Sequence, residues 1–244
     1  IRNLTIFSFT TIYSEMIREI ISTDSKKNLF REHFGKDLEN KNKIIAFFDT
    51  TFIDAENCNS TYEDCIAFYQ DILRLIDCIE DVLVIVKPSK LASWFISPQM
   101  QWASPKKGKI IIELWNVLKS NPRIFWAANE QYNDQLTFNN IIIAISDLVV
   151  THAMSSPTAE ALGARKKAIW YKSKNSGQQR LYDKIPGLVI FGYEELEKRV
   201  KNLLYEVNDK GYDAYLDKYV KGGVEASLDG LAATKFRQLL KSTT

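Results

Sequence analysis

The chain has 244 residues, of which 45% are hydrophobic and 25% charged, and its formal net charge at pH 7 is +2. This composition is ordinary for a globular protein of one large or two small domains, and the small, evenly spread charge argues against a nucleic-acid-binding protein. No stretch reaches the roughly 20 apolar residues of a membrane-spanning helix, and the first residues do not have the pattern of a secretory signal peptide.

The cysteine content indicates the compartment. Cys58, Cys65 and Cys78 are odd in number and form no CxxC pair, which is typical of reduced thiols in a cytoplasmic protein. Such a protein can still work at the inner face of the membrane through partners. The chain begins at Ile1 rather than at Met, so one expectation is a piece of a longer protein.

The first forty residues have the least regular pattern. Leu4 to Phe9 has the composition of a strand, and Tyr13 to Ile21 carries apolar residues at helical spacing. Forty residues are too few for an independent domain of ordinary size. Residues 1–40 are therefore expected either to pack on a main domain at 41–244 or to connect that domain to another one.

From Lys43 onward, apolar runs typical of buried strands alternate with amphipathic stretches typical of helices. The predicted strands are Ile44–Phe48, Val82–Val86, Ile124–Ala127, Leu148–Val150, Ala168–Tyr171 and Gly187–Phe191. The first predicted helix is capped by Ser60 or Thr61. The other predicted helices are Ile110–Leu118, Leu136–Ile145, Ser156–Gly163, Tyr193–Tyr205, Asp213–Lys221 and Leu228–Leu240, and an irregular aromatic insertion is predicted at Leu91–Gly108. This alternation predicts an α/β fold, a Rossmann-like doubly wound parallel sheet with helices on both faces.

Two hydroxyl-bearing loops follow strands that such a sheet places side by side. In the strand order 3-2-1-4-5-6, the connections of strands 1 and 4 leave in opposite directions and open a crevice at their carboxyl ends. Asp49, Thr50 and Thr51 follow strand 1, and His152 to Ser156 follow strand 4. Ser155-Ser156-Pro157 predicts a helix start whose positive end favours a phosphate. We expect one serine to cap this helix and at least one to contact the ligand.

Several common site chemistries are missing from the sequence. No GxGxxG follows the first strand and no GxxxxGK[ST] occurs, which argues against nicotinamide, flavin and P-loop nucleotide sites. His33 and His152 are the only histidines, too few for a histidine metal cluster, so we expect neither a metal nor a cofactor. His152 remains a candidate catalytic residue, with a hydrogen-bonded loop residue as the alternative.

Residues Lys43 to Leu204 resemble the C-terminal, donor-binding half of GT-B glycosyltransferases. The motifs that carry the resemblance are Lys87-Pro88, Ser146-Asp147-Leu148-Val149-Val150, Ser155-Ser156, Glu160-Ala161-Leu162 and the strand Ala168-Ile169-Trp170-Tyr171. This version is similar to transferases that build bacterial surface polysaccharides. The resemblance implies that the phosphates of a nucleotide-sugar meet the serine pair and that Glu160 holds the ribose hydroxyls. An exposed first-turn residue is the alternative for Glu160.

Basic side chains are expected to balance the phosphate charge. Lys87 stands where many transferases of this class have the histidine of a His-Pro pair, and Lys172 and Arg165 are further candidates. The donor-binding residues implied are Thr50, Thr51, Lys87, His152, Ser155, Ser156 and Glu160.

The resemblance implies a metal-independent glycosyltransferase that uses a nucleotide-activated sugar. Its acceptor-binding domain is expected in the parent chain or in a partner, so the isolated chain is expected to be inactive. The terminal helices, including Asp213–Lys221, are expected to lean across the interdomain cleft. A non-catalytic nucleotide-sugar-binding module, a polyol-phosphate transferase and a sugar-nucleotide epimerase remain as alternatives.

Overall fold

The computed structural model of the chain describes residues 10–23, 25–39, 42–50, 52, 60–90, 104–127, 135–153, 155–173, 181–221 and 241. The strands are β1 (Lys43–Phe48), β2 (Val82–Lys87), β3 (Ile124–Trp126), β4 (Leu148–His152), β5 (Ala168–Lys172) and β6 (Val189–Phe191). The α-helices are α1 (Thr10–Thr23), α2 (Lys26–Phe34), α3 (Tyr62–Cys78), α4 (Pro105–Ser120), α5 (Gln135–Ile145), α6 (Ser156–Gly163), α7 (Tyr193–Lys201) and α8 (Asp209–Tyr215). A 3-10 turn spans Leu181–Lys184, and π-helical turns at Asn202–Glu206 and Leu216–Val220 extend α7 and α8.

The six strands form one parallel sheet in the order β3-β2-β1-β4-β5-β6, which confirms the predicted fold class. The register places Phe48 beside Lys87 on one side and beside Thr151 on the other, and it places His152 beside Tyr171. Strands β1, β2, β4 and β5 therefore end at nearly the same level, and the loops that follow them meet. We call this side of the sheet the carboxyl edge and the opposite side the amino edge.

Helices cover both faces of the sheet, which explains why its central strands are apolar along their whole length. On one face, Phe68 of α3 lies 5.9 Å from Phe47 of β1, measured between ring centroids. On the other face, Phe30 of α2 lies 4.9 Å from Phe125 of β3. Helix α4 shares the face of α3, whereas α1, α5 and α6 share the face of α2. None of the described helices is long and apolar enough to cross a bilayer.

The N-terminal segment adds a layer on the face that carries α6. Helix α1 packs against both α5 and α6, and its Ile17 is fully buried. Ser14, also buried, donates a hydrogen bond of 2.8 Å to the backbone carbonyl of Glu160 in α6. The strand predicted at Leu4 to Phe9 lies outside the described residues.

Helix α4 begins earlier than the sequence suggested. We predicted an irregular segment at Leu91–Gly108, but the helix begins at Pro105, so the prediction is wrong for residues 105–108. Glycine is a poor helix former, so Gly108 argued against a helix at this point of the sequence. In the folded chain Gly108 is buried, and packing stabilises the first turn of the helix. Residues 91–103 lie outside the described part of the chain.

The segment after α7 lies at the amino edge, away from the crevice. The backbone N–H of Ala168, at the start of β5, donates a 3.0 Å hydrogen bond to the hydroxyl of the buried Tyr212. This contact anchors α8 beside the first residues of β5, so Asp213–Lys221 does not border the crevice, and its placement across an interdomain cleft stays a prediction. The helix predicted at Leu228–Leu240 lies outside the described residues.

Replacing Thr61 with Ala tests the N-terminal cap of α3. We expect the free energy of unfolding, measured by urea denaturation, to fall by about 1 kcal/mol, because Thr61 accepts a hydrogen bond from Asp64 N. Ser104→Ala is the matched control, since Ser104 holds the N-cap position of α4 without a side-chain cap. Equal losses in the two variants would contradict the assignment.

Candidate functional site

The candidate site lies at the carboxyl edge, where β1 and β4 are neighbours. The chain leaves β1 toward α3 on one face of the sheet and leaves β4 toward α6 on the other face. Both helices run back from the carboxyl edge, so their N-termini flank the crevice between the two strands. A helix N-terminus carries unpaired N–H groups and a partial positive charge. The two termini differ in what satisfies those groups.

The N-terminus of α3 is closed by its own side chains. The hydroxyl of Thr61 accepts from Asp64 N at 3.2 Å, and the carboxylate of Asp64 accepts from Thr61 N at 3.0 Å. Glu63 adds a second carboxylate to the first turn. Because this terminus is capped and carries two acidic residues, it disfavours an anion. Of the two predicted caps, Ser60 and Thr61, the structure assigns the role to Thr61.

The N-terminus of α6 is open. Ser155 holds the N-cap position, but its hydroxyl caps nothing and is buried without a partner among the described residues. Ser156 is exposed and its hydroxyl bonds to Glu160, so the prediction that one serine caps the helix with its side chain is wrong. The first turn has no acidic residue, and Pro157 has no N–H. The N–H groups of Ser156 and Thr158 therefore lack intrahelical acceptors.

Asp49 joins three elements at the end of β1. One carboxylate oxygen accepts from the Tyr69 hydroxyl of α3 at 2.5 Å, and the other accepts from Ser89 N after β2. Burial raises the pKa of Asp49 to about 6, although these hydrogen bonds oppose the shift. The sequence placed Asp49 in the crevice, but nothing in it pointed to Tyr69 or Ser89. The neighbouring Thr50 is half-buried, and Thr51 lies outside the described residues.

Lys87 brings a buried cation to the carboxyl edge. Its ammonium donates a 3.2 Å hydrogen bond to the carbonyl of Pro88, and burial lowers its pKa while the nearby Asp49 opposes that shift. An ammonium has three donors, and this contact uses one of them. A buried cation with a neutral acceptor is stabilised by an additional anion, so Lys87 favours an anionic ligand.

The two other basic candidates lie at opposite edges of the sheet. Lys172 ends β5 and is half-buried at the carboxyl edge. Arg165 lies between α6 and β5, where it pairs with Asp213 at 2.6 Å and with Asp217 at 3.2 Å. The prediction that Arg165 balances phosphate charge is wrong, because Arg165 follows α6, which runs from the carboxyl edge to the amino edge. Arg165 has a φ of 62°, in the left-handed region that non-glycine residues seldom adopt.

His152 is a buried and neutral residue at the end of β4. Its Nδ1 lies 3.0 Å from the hydroxyl of Ser60, and its ring packs against Phe52 and Phe68 with centroids at 5.3 and 5.0 Å. Burial lowers the pKa of His152 to about 4, so the imidazole is uncharged at neutral pH. Its Nε2 has no partner among the described residues. Within that same part of the chain, no three metal-ligating side chains come together.

Glu160 is the fifth residue of α6 and is 6% exposed. The alternative of an exposed first-turn residue is therefore wrong. Burial raises the pKa of Glu160, and the hydroxyl of Ser156, one helical turn nearer the crevice, lowers it by hydrogen bonding. A buried carboxylate with one hydroxyl donor gains from further donors, such as the hydroxyls of a sugar.

Proton NMR of the two histidines tests the state of His152. We expect its C2–H signal to stay constant from pH 7.5 to 5 and to move only near pH 4. A His33→Gln variant assigns the signals, since the chain has two histidines. The unfolded chain takes up a proton below pH 6.5 that the folded chain does not. Folding stability should therefore decrease as the pH falls from 6.5 to 4, by up to about 3 kcal/mol from this group. Titration of both signals above pH 6 would contradict this description.

No protein-family model matches the chain, and no curated protein matches its sequence. Solved structures match its fold. The UDP-GlcNAc 2-epimerase from Neisseria meningitidis bound to UDP-GlcNAc gives a TM-score of 0.56 at 14% identity, over 96% of this chain and 54% of that one. The UDP-forming trehalose-phosphate synthase from Burkholderia xenovorans gives 0.57 at 13%, over 98% and 52%. The wall teichoic acid polymerase TagF gives 0.52 at 16%, over 95% and 49%.

The chain thus spans about half the length of the solved structures that it matches. At such low identity the likeness concerns the fold. It agrees with the parallel sheet and with the strand order described above. The chain therefore has the Rossmann-like fold of GT-B-type glycosyltransferases and epimerases.

Proposed function

We propose that this chain binds a nucleotide-activated sugar at the carboxyl edge, as the donor-binding half of a metal-independent GT-B glycosyltransferase. The observation that carries the proposal is the difference between the two helix termini at the crevice. The α3 terminus is capped and acidic, whereas the α6 terminus has no acidic residue in its first turn and a buried Ser155 hydroxyl that finds no partner within the described part of the chain. A buried polar group without a partner is unfavourable, so a ligand oxygen at this position would stabilise it.

The phosphate groups are assigned to the N-terminus of α6. The N–H groups of Ser156 and Thr158 and the Ser155 hydroxyl supply donors, while the Ser156 hydroxyl donates to Glu160, and the helix dipole favours the negative charge. Lys87 supplies a positive charge from the neighbouring β2 loop. Dipoles and a fixed cation can thereby take the place of a metal ion in holding the phosphates.

The rest of the nucleotide-sugar is assigned by position. Glu160 follows Ser156 by one helical turn and is proposed to accept ribose hydroxyls. Thr50 and Thr51, which follow β1, and His152, which ends β4, are proposed to line the opposite side of the crevice. A neutral His152 is proposed to offer a hydrogen bond rather than a charge.

Three features of the wider assembly complete the proposal. The acceptor is proposed to bind a second domain, in the same polypeptide or in a partner, because the chain spans about half of the solved structures of its fold. The product is proposed to be a surface polysaccharide or glycoconjugate, in keeping with the wall teichoic acid polymerase TagF among those structures. Cys65 and Cys78 are free thiols, which is in keeping with a cytoplasmic location.

A sugar-nucleotide epimerase is the second candidate, because one matching structure is a UDP-GlcNAc 2-epimerase bound to UDP-GlcNAc. An epimerase needs acid and base groups beside the sugar. Asp49 and His152, the described candidates, are buried and engaged with Tyr69 and Ser60. Conversion of UDP-GlcNAc to its 2-epimer without any acceptor would favour this candidate over the transferase. Nucleotide binding without turnover by the full-length protein would favour the binding module.

Calorimetric titration tests the proposed binding. We expect saturable heat when the chain is titrated with at least one of UDP, CDP, CMP and GDP, because all four present phosphate oxygens to the open terminus. The matching nucleosides are the control, and they should bind more weakly since they lack the phosphates. No saturable heat from any of the four, with the chain folded by circular dichroism, would refute the proposal.

Ser155→Ala separates a ligand contact from a structural role. The hydroxyl caps nothing, so we expect the melting temperature to stay within about 2 °C of the parent value. Nucleotide affinity should fall roughly tenfold, the effect of losing one hydrogen bond to a charged group. Thr61→Ala at the closed terminus is the converse control: it should lower stability and leave the dissociation constant unchanged. Unchanged affinity in Ser155→Ala would remove Ser155 from the site.

A further inference from the structure

Two buried threonine hydroxyls tie α6 to the sheet. Thr151 of β4 and Thr158 of α6 are both 0% exposed, and their hydroxyl oxygens lie 2.7 Å apart. The hydroxyl of Thr158 also lies 3.1 Å from the backbone carbonyl of Ile169 in β5. One side chain of α6 therefore contacts both strands beneath it.

The bond between the two threonines is present whichever hydroxyl donates. Each hydroxyl has one hydrogen, so Thr151 can donate to Thr158 while Thr158 donates to Ile169. Alternatively, Thr158 can donate to Thr151 while Thr151 donates to the carbonyl of Ala153, 3.3 Å away. Both side chains are fully buried, so water does not replace this bond when one partner is removed.

Thr158 lies in the first turn of α6, where a fixed side chain also fixes a backbone N–H of the proposed anion site. It is the third residue of the helix, and its own N–H is one of the first-turn donors without an intrahelical acceptor. Pro157 contributes no N–H, so the position of the Thr158 donor matters more than in an ordinary helix. The Thr158 hydroxyl and its N–H belong to the same residue, and fixing one restrains the other.

The loop that enters α6 is fixed independently. The indole N–H of Trp170 donates a 3.0 Å hydrogen bond to the carbonyl of Ser155. Ala153 has a φ of 54°, a conformation unfavourable for alanine, and its N–H donates to the carbonyl of Tyr171 at 2.8 Å. Among the residues that the structure describes, these contacts do not involve the Ser155 hydroxyl or the N–H groups of the first turn of α6.

We propose that Thr158 is a positioning residue, whose hydroxyl holds the first turn of α6 at the distance from β4 and β5 that phosphate binding requires. The proposal rests on the proposed function, since it concerns the same terminus. Donors must be fixed within a fraction of an ångström to bind an oxyanion well, and a small displacement weakens every bond at once.

Thr158→Val is the central variant, because valine keeps the shape of threonine and removes the hydroxyl. We expect the dissociation constant for the tightest-binding of UDP, CDP, CMP and GDP, and for inorganic pyrophosphate, to rise roughly tenfold. Thr158→Ser restores the hydroxyl and should return the affinity to within about twofold of the parent. Pyrophosphate shows that the effect lies at the phosphates, since it has no base or sugar.

Tyr212→Phe is the matched control for lost stability. It removes one buried hydroxyl that accepts from Ala168 N in β5, but at the amino edge of the sheet. We expect it to lower the melting temperature as Thr158→Val does and to leave the dissociation constants unchanged. Should Thr158→Val fail to fold, Thr151→Val removes the same bond from the strand side and should weaken binding equally.

The outcomes separate this proposal from the function on which it rests. If the parent chain binds none of the probes, both are overturned. If the parent binds and Thr158→Val binds as tightly, only the positioning role is overturned. Equal loss of affinity in Tyr212→Phe would also overturn it, because general loosening of the fold would then explain the effect.

Discussion

The parallel pairing of β1 with β4 is the constraint on which the candidate site depends. It places Phe47 beside Val150 and Phe48 beside Thr151, so that two loops from distant parts of the sequence end at one level. The strands on either side, β2 and β5, extend the same edge. A shift of one residue would turn Thr151 away from α6 and His152 away from α3. The register thus sets both the core and the side chains that border the crevice.

This pairing also brings together two helix termini that the chain treats differently. At α3, side chains form a capping box with backbone N–H groups at the helix start, and this capping stabilises the helix. At α6, side chains hold the helix to the sheet instead. Thr158 of the helix bonds to Thr151, and the indole of Trp170 donates to the Ser155 carbonyl just before the helix. Stability of the second helix comes from burial, since all but one of its eight residues are buried. Its terminus is consequently free for a ligand.

Burial shifts the titratable groups at the crevice toward their neutral forms. The pKa of Asp49 is raised to about 6, that of His152 is lowered to about 4, and that of Lys87 is lowered. The cause is the same in each case, because removal from water disfavours the charged form. Of these three groups, His152 is uncharged at neutral pH, which leaves Asp49, Lys87 and the dipole of α6 as sources of charge at this part of the crevice.

The sequence alone determined the alternation of strands and helices, the strand order and the position of the Ser155-Ser156 helix start, because these depend on local periodicity and on general rules of chain connection. The resemblance of Glu160 and Lys87 to donor-site residues also came from sequence. Only the tertiary structure decided that Ser155 does not cap its helix, that Arg165 lies at the amino edge and that Thr158 contacts two strands. These features depend on contacts between residues distant along the chain or on three-dimensional orientation, and no spacing in the sequence encodes either.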